Sequence, residues 1–339
     1  MRASILAAGG ALALLVTGCA TPARRPGPAP ALAVPFIPQK PGYCGPAALA
    51  MVATYYGHRV TQDEIAADIY LPTIHGTLTT ELADYARRFH LWVRAYRGSV
   101  SDLREKLAAG VPLVVLGRWG VNDHYLVVLR VDNFRQTFTA HSDTRANLEL
   151  SQEDFFRRWE RTDRWTLLVC PPDRARWRLS ADEHNDLGVF LEQLGQLGGA
   201  EQQLRAAIGL RPDDPWFHFN LGNVRLKQGR YADAATEFAR ALELDNLNAD
   251  AMNNLAGAWC ELGQNLDRAA QLCRRAADLR PSHRAYYLDT LGSVLLKQGK
   301  SPEAVAVFAS ALAATTDRQR ALRTSIEQHL AAAKTAVLR

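Results

Sequence analysis

An α+β domain followed by an all-α repeat solenoid is the fold class this sequence predicts. Three observations point to it. Apolar helical segments up to Phe89 give way to runs rich in β-branched and aromatic residues, the order expected of an α+β domain. From Leu187 onward a spacing of 34 to 36 residues recurs. A chain of 339 residues with 47% hydrophobic and 22% charged residues has the length and composition for two ordinary soluble cores.

The N-terminal stretch MRASILAAGGALALLVTGCA has one arginine and then an apolar run that is short for a spanning helix, which needs roughly 20 apolar residues. It fits a secretory signal peptide. Val16-Thr17-Gly18-Cys19 resembles the lipobox of bacterial lipoproteins. That resemblance implies cleavage after residue 18 and acylation of Cys19, a stable multi-chain anchor. Ala20 stands where an inner-membrane retention signal would carry Asp, so the expected location is the periplasmic face of the outer membrane. Residues 19–33, rich in proline and alanine, read as an extended tether.

Residues 34–172 form the first domain. Helices are expected over Cys44 to Tyr56, Gln62 to Ile69 and Leu78 to Phe89, then a strand from Leu91 to Tyr96 and a serine-capped helix from Ser101 to Ala109. Strands follow at Pro112 to Leu116, His124 to Val131 and Gln136 to Ala140. Ser151 opens a short helix, and Trp165 to Val169 is a last strand.

Residues 181–317 carry the repeats. Gly195, Gly229, Gly263 and Gly299 share one register, and Leu187, Leu221, Leu255 and Leu291 a second. Ala200, Ala234, Ala269 and Ala304 form a third, and Leu204, Phe238, Cys273 and Phe308 a fourth. About four units with this period resemble tetratricopeptide repeats, pairs of antiparallel helices whose small residues let backbones approach. Residues 318–339 read as a capping helix. Asn220, Asn223, Asn253 and Asn254, with Lys227, fall on first helices away from the leucine–glycine seam. They are the candidates for holding an extended peptide of a protein partner, since amides pair with both donors and acceptors.

The chemistry centres on Cys44. Pro41-Gly42-Tyr43 breaks the chain, and Gly45-Pro46 starts a helix, so the thiol stands at a helix N-terminus, where its pKa is expected to fall, further so beside an imidazole. His124, at the start of an apolar strand after an Asn122-Asp123 turn, is the candidate base. Gln39 is placed to lend a side-chain donor to an oxyanion hole with the Cys44 backbone N–H. Cys170, Cys260 and Cys273 read as core residues, with a Cys260–Cys273 disulfide as an alternative. No Cys/His pair stands at metal spacing, so no metal or cofactor is expected. The net charge of +5 is scattered along helices without aromatic interleaving, which argues against nucleic acid.

Val34-Pro35-Phe36-Ile37-Pro38-Gln39, Cys44-Gly45-Pro46-Ala47-Ala48, Tyr56-Gly57, Gly76-Thr77 and Asp123-His124-Tyr125 resemble the papain-like double-glycine peptidases, the bacteriocin-processing domains of some exporters and their free-standing relatives. The resemblance covers Val34 to Val169. It implies a Cys44 nucleophile, a His124 base and an oxyanion Gln39. The family's Asp-Pro pair after the histidine strand is replaced by Ala140-His141-Ser142-Asp143. Asp143 is taken as the orienting carboxylate, with Asp132, Asn133 or a plain dyad as alternatives, and His141 is expected to be dispensable. The expected function is a membrane-anchored cysteine peptidase whose repeats recruit a substrate or partner. A non-catalytic peptide-docking module and a Cys-dependent acyl transferase are the alternatives.

Overall fold

The computed structural model describes residues 30–338. The signal peptide, Cys19 and most of the tether lie outside them. Among the described residues no helix is long and apolar enough to cross a membrane.

The first half runs α1 (Cys44–Tyr55), α2 (Gln62–Ile69), α3 (Thr79–Ala86), β1 (Trp92–Arg97), α4 (Val100–Ala108), β2 (Leu113–Trp119), β3 (Asn122–Asp132), β4 (Thr137–Ser142), β5 (Arg145–Ser151), α5 (Gln152–Glu160) and β6 (Trp165–Cys170). The strands make one six-stranded antiparallel sheet in the order β1-β6-β2-β3-β4-β5. Local chemistry sets the ends. Thr61 caps α2 in a capping box with Glu64, and Ser99 and Ser151 cap α4 and α5. The cap of α4 is Ser99 rather than a later serine because its hydroxyl accepts the Asp102 N–H at 3.1 Å.

β5 is absent from the sequence-based expectation. It lies at the sheet's edge, and its alternating Leu148 and Leu150 are only half-buried, Leu150 packing on the core. It makes Asp143 part of a two-residue turn between β4 and β5, not of an open loop.

α1 packs on one face of the sheet, its Leu49 and Val52 in a core with Val127 of β3 and Val169 of β6. The other face, with Trp92, Leu113, Leu126 and Phe138, packs α4 and α5.

Nine helices complete the described chain: α6 (Ala181–Gln193), α7 (Leu197–Leu210), α8 (Pro215–Lys227), α9 (Tyr231–Leu244), α10 (Ala249–Leu262), α11 (Leu266–Leu279), α12 (Arg284–Lys297), α13 (Ser301–Ala313) and α14 (Arg320–Val337). The small-residue registers sit where paired helices touch. A Cβ on Gly292 would come within 2.5 Å of the Phe308 ring, and one on Gly222 within 2.6 Å of Phe238. Both rings are fully buried and cannot retreat. Gly292→Ala should therefore destabilise the fold by about 1–3 kcal/mol, read from the denaturation midpoint. A neutral result would mean that the α12–α13 seam is looser than the structure has it.

The two halves share a core. Trp177, Leu179, Leu187, Leu191 and Leu204 belong to the same buried cluster as Trp92, Leu103 and Leu113. Trp92 and Trp177 stack at 5.9 Å with planes 8° apart. Beside them Lys106 of α4 is 1% exposed. Its ammonium pairs with Asp102 and, at 2.9 Å, with Glu183 of α6. It also lies over the rings of Tyr96 and Trp177, 4.9 and 5.1 Å from their centroids. Glu183 accepts from the Trp177 indole N–H and closes the capping box of α6 with Ser180.

Candidate active site

Cys44 is the first residue of α1 and is half-buried. The turn before it needs Gly42, at φ 79°, because a Cβ there would press on Tyr70 and the His75 carbonyl. Gly45 is required for a different reason. A Cβ would stand 3.2 Å from the Tyr125 ring and 3.3 Å from Thr77. The helix start is thus pressed against the first residues of β3, and Tyr125 fixes the contact by donating its hydroxyl to the Thr77 carbonyl at 3.1 Å.

Burial pushes the Cys44 thiol above the ordinary range. The backbone N–H groups of Tyr125, Gly45 and Cys44 itself act the other way, and the Asp143 charge adds to the rise. The sequence-based expectation of a lowered thiol pKa is therefore corrected: removal from water outweighs the helix terminus. His124 is shifted in the complementary direction. Burial lowers it, Asp143 raises it and Arg145 lowers it. Both shifts favour the neutral forms, thiol and imidazole. The His124 ring packs edge-on against Trp119, 5.6 Å between centroids, and its Nε2 is buried without a partner among the described residues.

Asp143 is the acidic residue whose charge acts on both Cys44 and His124. Continuing the Val127–His141 register brings the Asp143 turn abreast of Tyr125 and His124. Its backbone sits at φ 57°, a left-handed conformation that aspartate tolerates better than most residues. Its carbonyl accepts the Gln39 N–H at 3.2 Å. Asp132 and Asn133 are removed from the site. They stand at the far end of β3, roughly 26 Å away at about 3.3 Å per residue, and Asp132 is engaged in capping the Phe134 and Arg135 N–H groups.

His141 is held in the fold through its ring. It is 3% exposed, and both ring nitrogens are bonded. The Asn147 N–H donates to Nδ1 at 3.2 Å, so the proton sits on Nε2 and is given to the Val34 carbonyl at 3.0 Å. His141 therefore ties the segment leading to Gln39 onto the β4–β5 hairpin.

Gln62 is a site residue that the sequence does not reveal. It is 8% exposed, its amide donates to the Pro38 carbonyl at 2.8 Å, and its carbonyl accepts the Lys40 N–H at 2.9 Å. The side chain brackets Gln39 from both sides. Read from sequence, a glutamine in the first turn of a helix is a solvated residue.

The remaining thiols stand apart. Cys170, Cys260 and Cys273 are buried and free, with no disulfide between the last two. Burial pushes Cys170 and Cys273 up to about 12. Iodoacetamide at neutral pH should therefore modify Cys44 well before these three, on accessibility. Peptide mapping that finds any of them modified as fast would contradict the arrangement.

On the repeats, the Asn220 amide donates to Asn185 at 2.8 Å and the Asn254 amide to Asn223 at 2.9 Å. The Asn253 amide donates to Asn254 at 3.3 Å, and its own carbonyl oxygen is buried without a partner among the described residues. With Asn185 of α6, the four asparagines of α8 and α10 form a ladder, partly engaged with one another. Lys227 is held by Glu192 at 2.8 Å.

Asn122 and Asp123, expected as a turn, pair with Trp119 and Arg118 inside β3, so His124 is the third residue of that strand. A cysteine heading a helix laid on an antiparallel sheet, with a histidine near the start of the strand it touches, defines a papain-like domain. Residues 35–173 match the Peptidase C39 family. Residues 191–229, 219–284 and 288–322 match tetratricopeptide repeat families. The chain is a Peptidase C39-family domain fused to tetratricopeptide repeats.

Among curated proteins it is 35% identical over 89 residues to Protein O-mannosyl-transferase TMTC3 of Homo sapiens, covering 26% of this chain and 10% of that one. It is 30% identical over 99 residues to a Protein STIP1 homolog of Dictyostelium discoideum, covering 27% and 17%. The chain thus spans a small fraction of either relative's length. Among solved structures it is similar to PilF of Pseudomonas aeruginosa, with 25% identity, a TM-score of 0.39 and coverage of 46% of this chain and 72% of that one. The thermophilic TPR protein TTC0263 of Thermus thermophilus gives 20%, 0.40, 45% and 82%.

Proposed function

We propose that the first domain is a cysteine peptidase and that the repeats bring its substrate or a partner protein to it. Support comes above all from the packing of the Cys44 helix start against the His124–Tyr125 peptide in a Peptidase C39-family domain. Starting from neutral partners, His124 takes the thiol proton as Cys44 sulfur attacks the peptide carbonyl. The oxyanion is met by the Cys44 backbone N–H and the Gln39 side chain. His124 returns the proton to the leaving amine as the C–N bond breaks. Water then cleaves the thioester, releasing the acid and restoring the thiol. Asp143 orients and charges the imidazole. Asn220, Asn223, Asn253 and Asn254 hold an extended segment of the partner. The chain is anchored in the bacterial envelope by acylated Cys19.

The test is cleavage of a mixed peptide library by the purified chain, with Cys44→Ala as control; no cleavage by the parent would sink the catalytic reading. The pH profile supplies a signed check. With His124 lowered by burial, its base form persists below the ordinary imidazole value of about 6.5, so the acid limb of kcat/KM should lie below that value. Asp143→Asn removes a raising charge and should move the limb to lower pH while reducing the rate. Arg145→Gln should move it to higher pH. Because Asp143 also raises Cys44, Asp143→Asn should speed iodoacetamide labelling of Cys44 even as turnover falls. Unmoved limbs in both variants would remove Asp143 from the site.

A further inference from the structure

β1 is the edge of the sheet and pairs with β6 alone among the described strands. The backbone groups on its other side have no strand partner. α6 stands over this edge, and the groove between them has a volume of about 580 Å³. Its walls include Trp92 and Arg94 of β1 and Val189 and Phe190 of α6, and it reaches Asn220 on the asparagine ladder.

Two donors in the wall are unsatisfied. The indole N–H of Trp92, a residue 1% exposed, and the Arg94 Nη1 are both buried with no acceptor among the described residues. Arg94 gives only its Nε to Asp186, at 3.3 Å. Both Arg87, which is paired with Asp84, and Arg94 line the groove, and Asp186 is the carboxylate in its wall. A charged edge by itself is an ordinary guard against stray pairing. This edge also has a covering wall and buried donors that lack acceptors.

We propose that the β1 edge and α6 form a seat for an extended, acidic segment of a partner protein, which adds to the sheet as a seventh strand. Main-chain pairing with β1 supplies the affinity, and alternate side chains supply the selectivity. Carboxylates of the segment meet Arg94 and Arg87, and its acceptors reach the donors left open at Trp92 and Arg94. From there the segment continues onto the asparagines of α8 and α10. The seat extends the recruiting role of the repeats into the first domain. It stands apart from the catalytic reading, because occupancy can be read in a protein that cannot cleave.

The experiment uses the full chain as Cys44→Ala and a fluorescein-labelled octapeptide of alternating valine and glutamate, followed by fluorescence anisotropy. The lysine counterpart and a version N-methylated at alternate peptide bonds should each bind at least about tenfold more weakly, the loss expected when a charge-assisted or main-chain hydrogen bond is removed. Arg94→Gln should weaken the acidic peptide several-fold. Val189→Trp, which fills the groove and leaves the Arg94–Asp186 pair alone, should abolish binding. Amide exchange over residues 92–97 should slow when the acidic peptide is present. Absence of binding, equal binding of the acidic and lysine peptides, indifference to Val189→Trp, or unchanged exchange over 92–97 would each overturn the proposal.

Discussion

Cys44→Ala should lower peptide cleavage by on the order of 10⁴-fold or more, since loss of a nucleophile leaves only binding and oxyanion contacts to act on the substrate. The fold should be untouched, because the side chain is half-buried and its backbone makes the helix start without it. Cys44→Ser should fall nearly as far. A hydroxyl is a far weaker acid than a thiol, and a neutral imidazole without a bonded partner on Nε2 is poorly equipped to deprotonate it. The measurement is single-turnover cleavage followed by mass spectrometry, with thermal melting as the control. A Cys44→Ala protein that cleaves within tenfold of the parent would mean that the chemistry lies elsewhere.

Lys106→Ala should be the most damaging change away from the site. It leaves Asp102 and Glu183 facing each other around a vacated, buried position, and breaking such a pair costs about 3–5 kcal/mol. The cost comes from the unpaired carboxylates rather than from the lost stem, so Lys106→Met should recover little of it. Burial would by itself raise the Glu183 carboxyl; Ser180 and Lys106 outweigh it and hold the group low. Stability from this carboxylate is present above its unfolded pKa and is lost as pH falls through the folded value. The Lys106→Ala deficit should therefore shrink in acid. Denaturation midpoints at neutral and acidic pH would check this, and a loss below about 1 kcal/mol at neutral pH would mean that Lys106 is not the clamp it looks to be.

Much of the architecture is legible in the residues. The repeats announce themselves because each small residue faces a fixed large one, as Gly222 faces Phe238 and Gly292 faces Phe308. α2 can be placed from Thr61 and Glu64 alone. What sequence hides are features whose partners lie far along the chain or whose burial cannot be guessed. β5 carries only the short Leu148–Leu150 alternation at an edge that is half covered. Lys106 reads as a surface residue until Glu183 arrives from another helix. Gln62 and His141 act through backbone groups of the segment before Cys44, which no side-chain motif encodes. The thiol pKa went the wrong way because a helix terminus is visible in sequence and desolvation is not.

The stacked Trp92–Trp177 pair and the Lys106 clamp tie the halves to each other. Under the proposed function this makes the molecule a ruler. A polypeptide gripped by the solenoid meets Cys44 across a fixed span, so the scissile bond would be chosen by counting residues from the grip as much as by the side chains around the cut. Shifting the gripped segment along a substrate by two residues should shift the cleavage point by two.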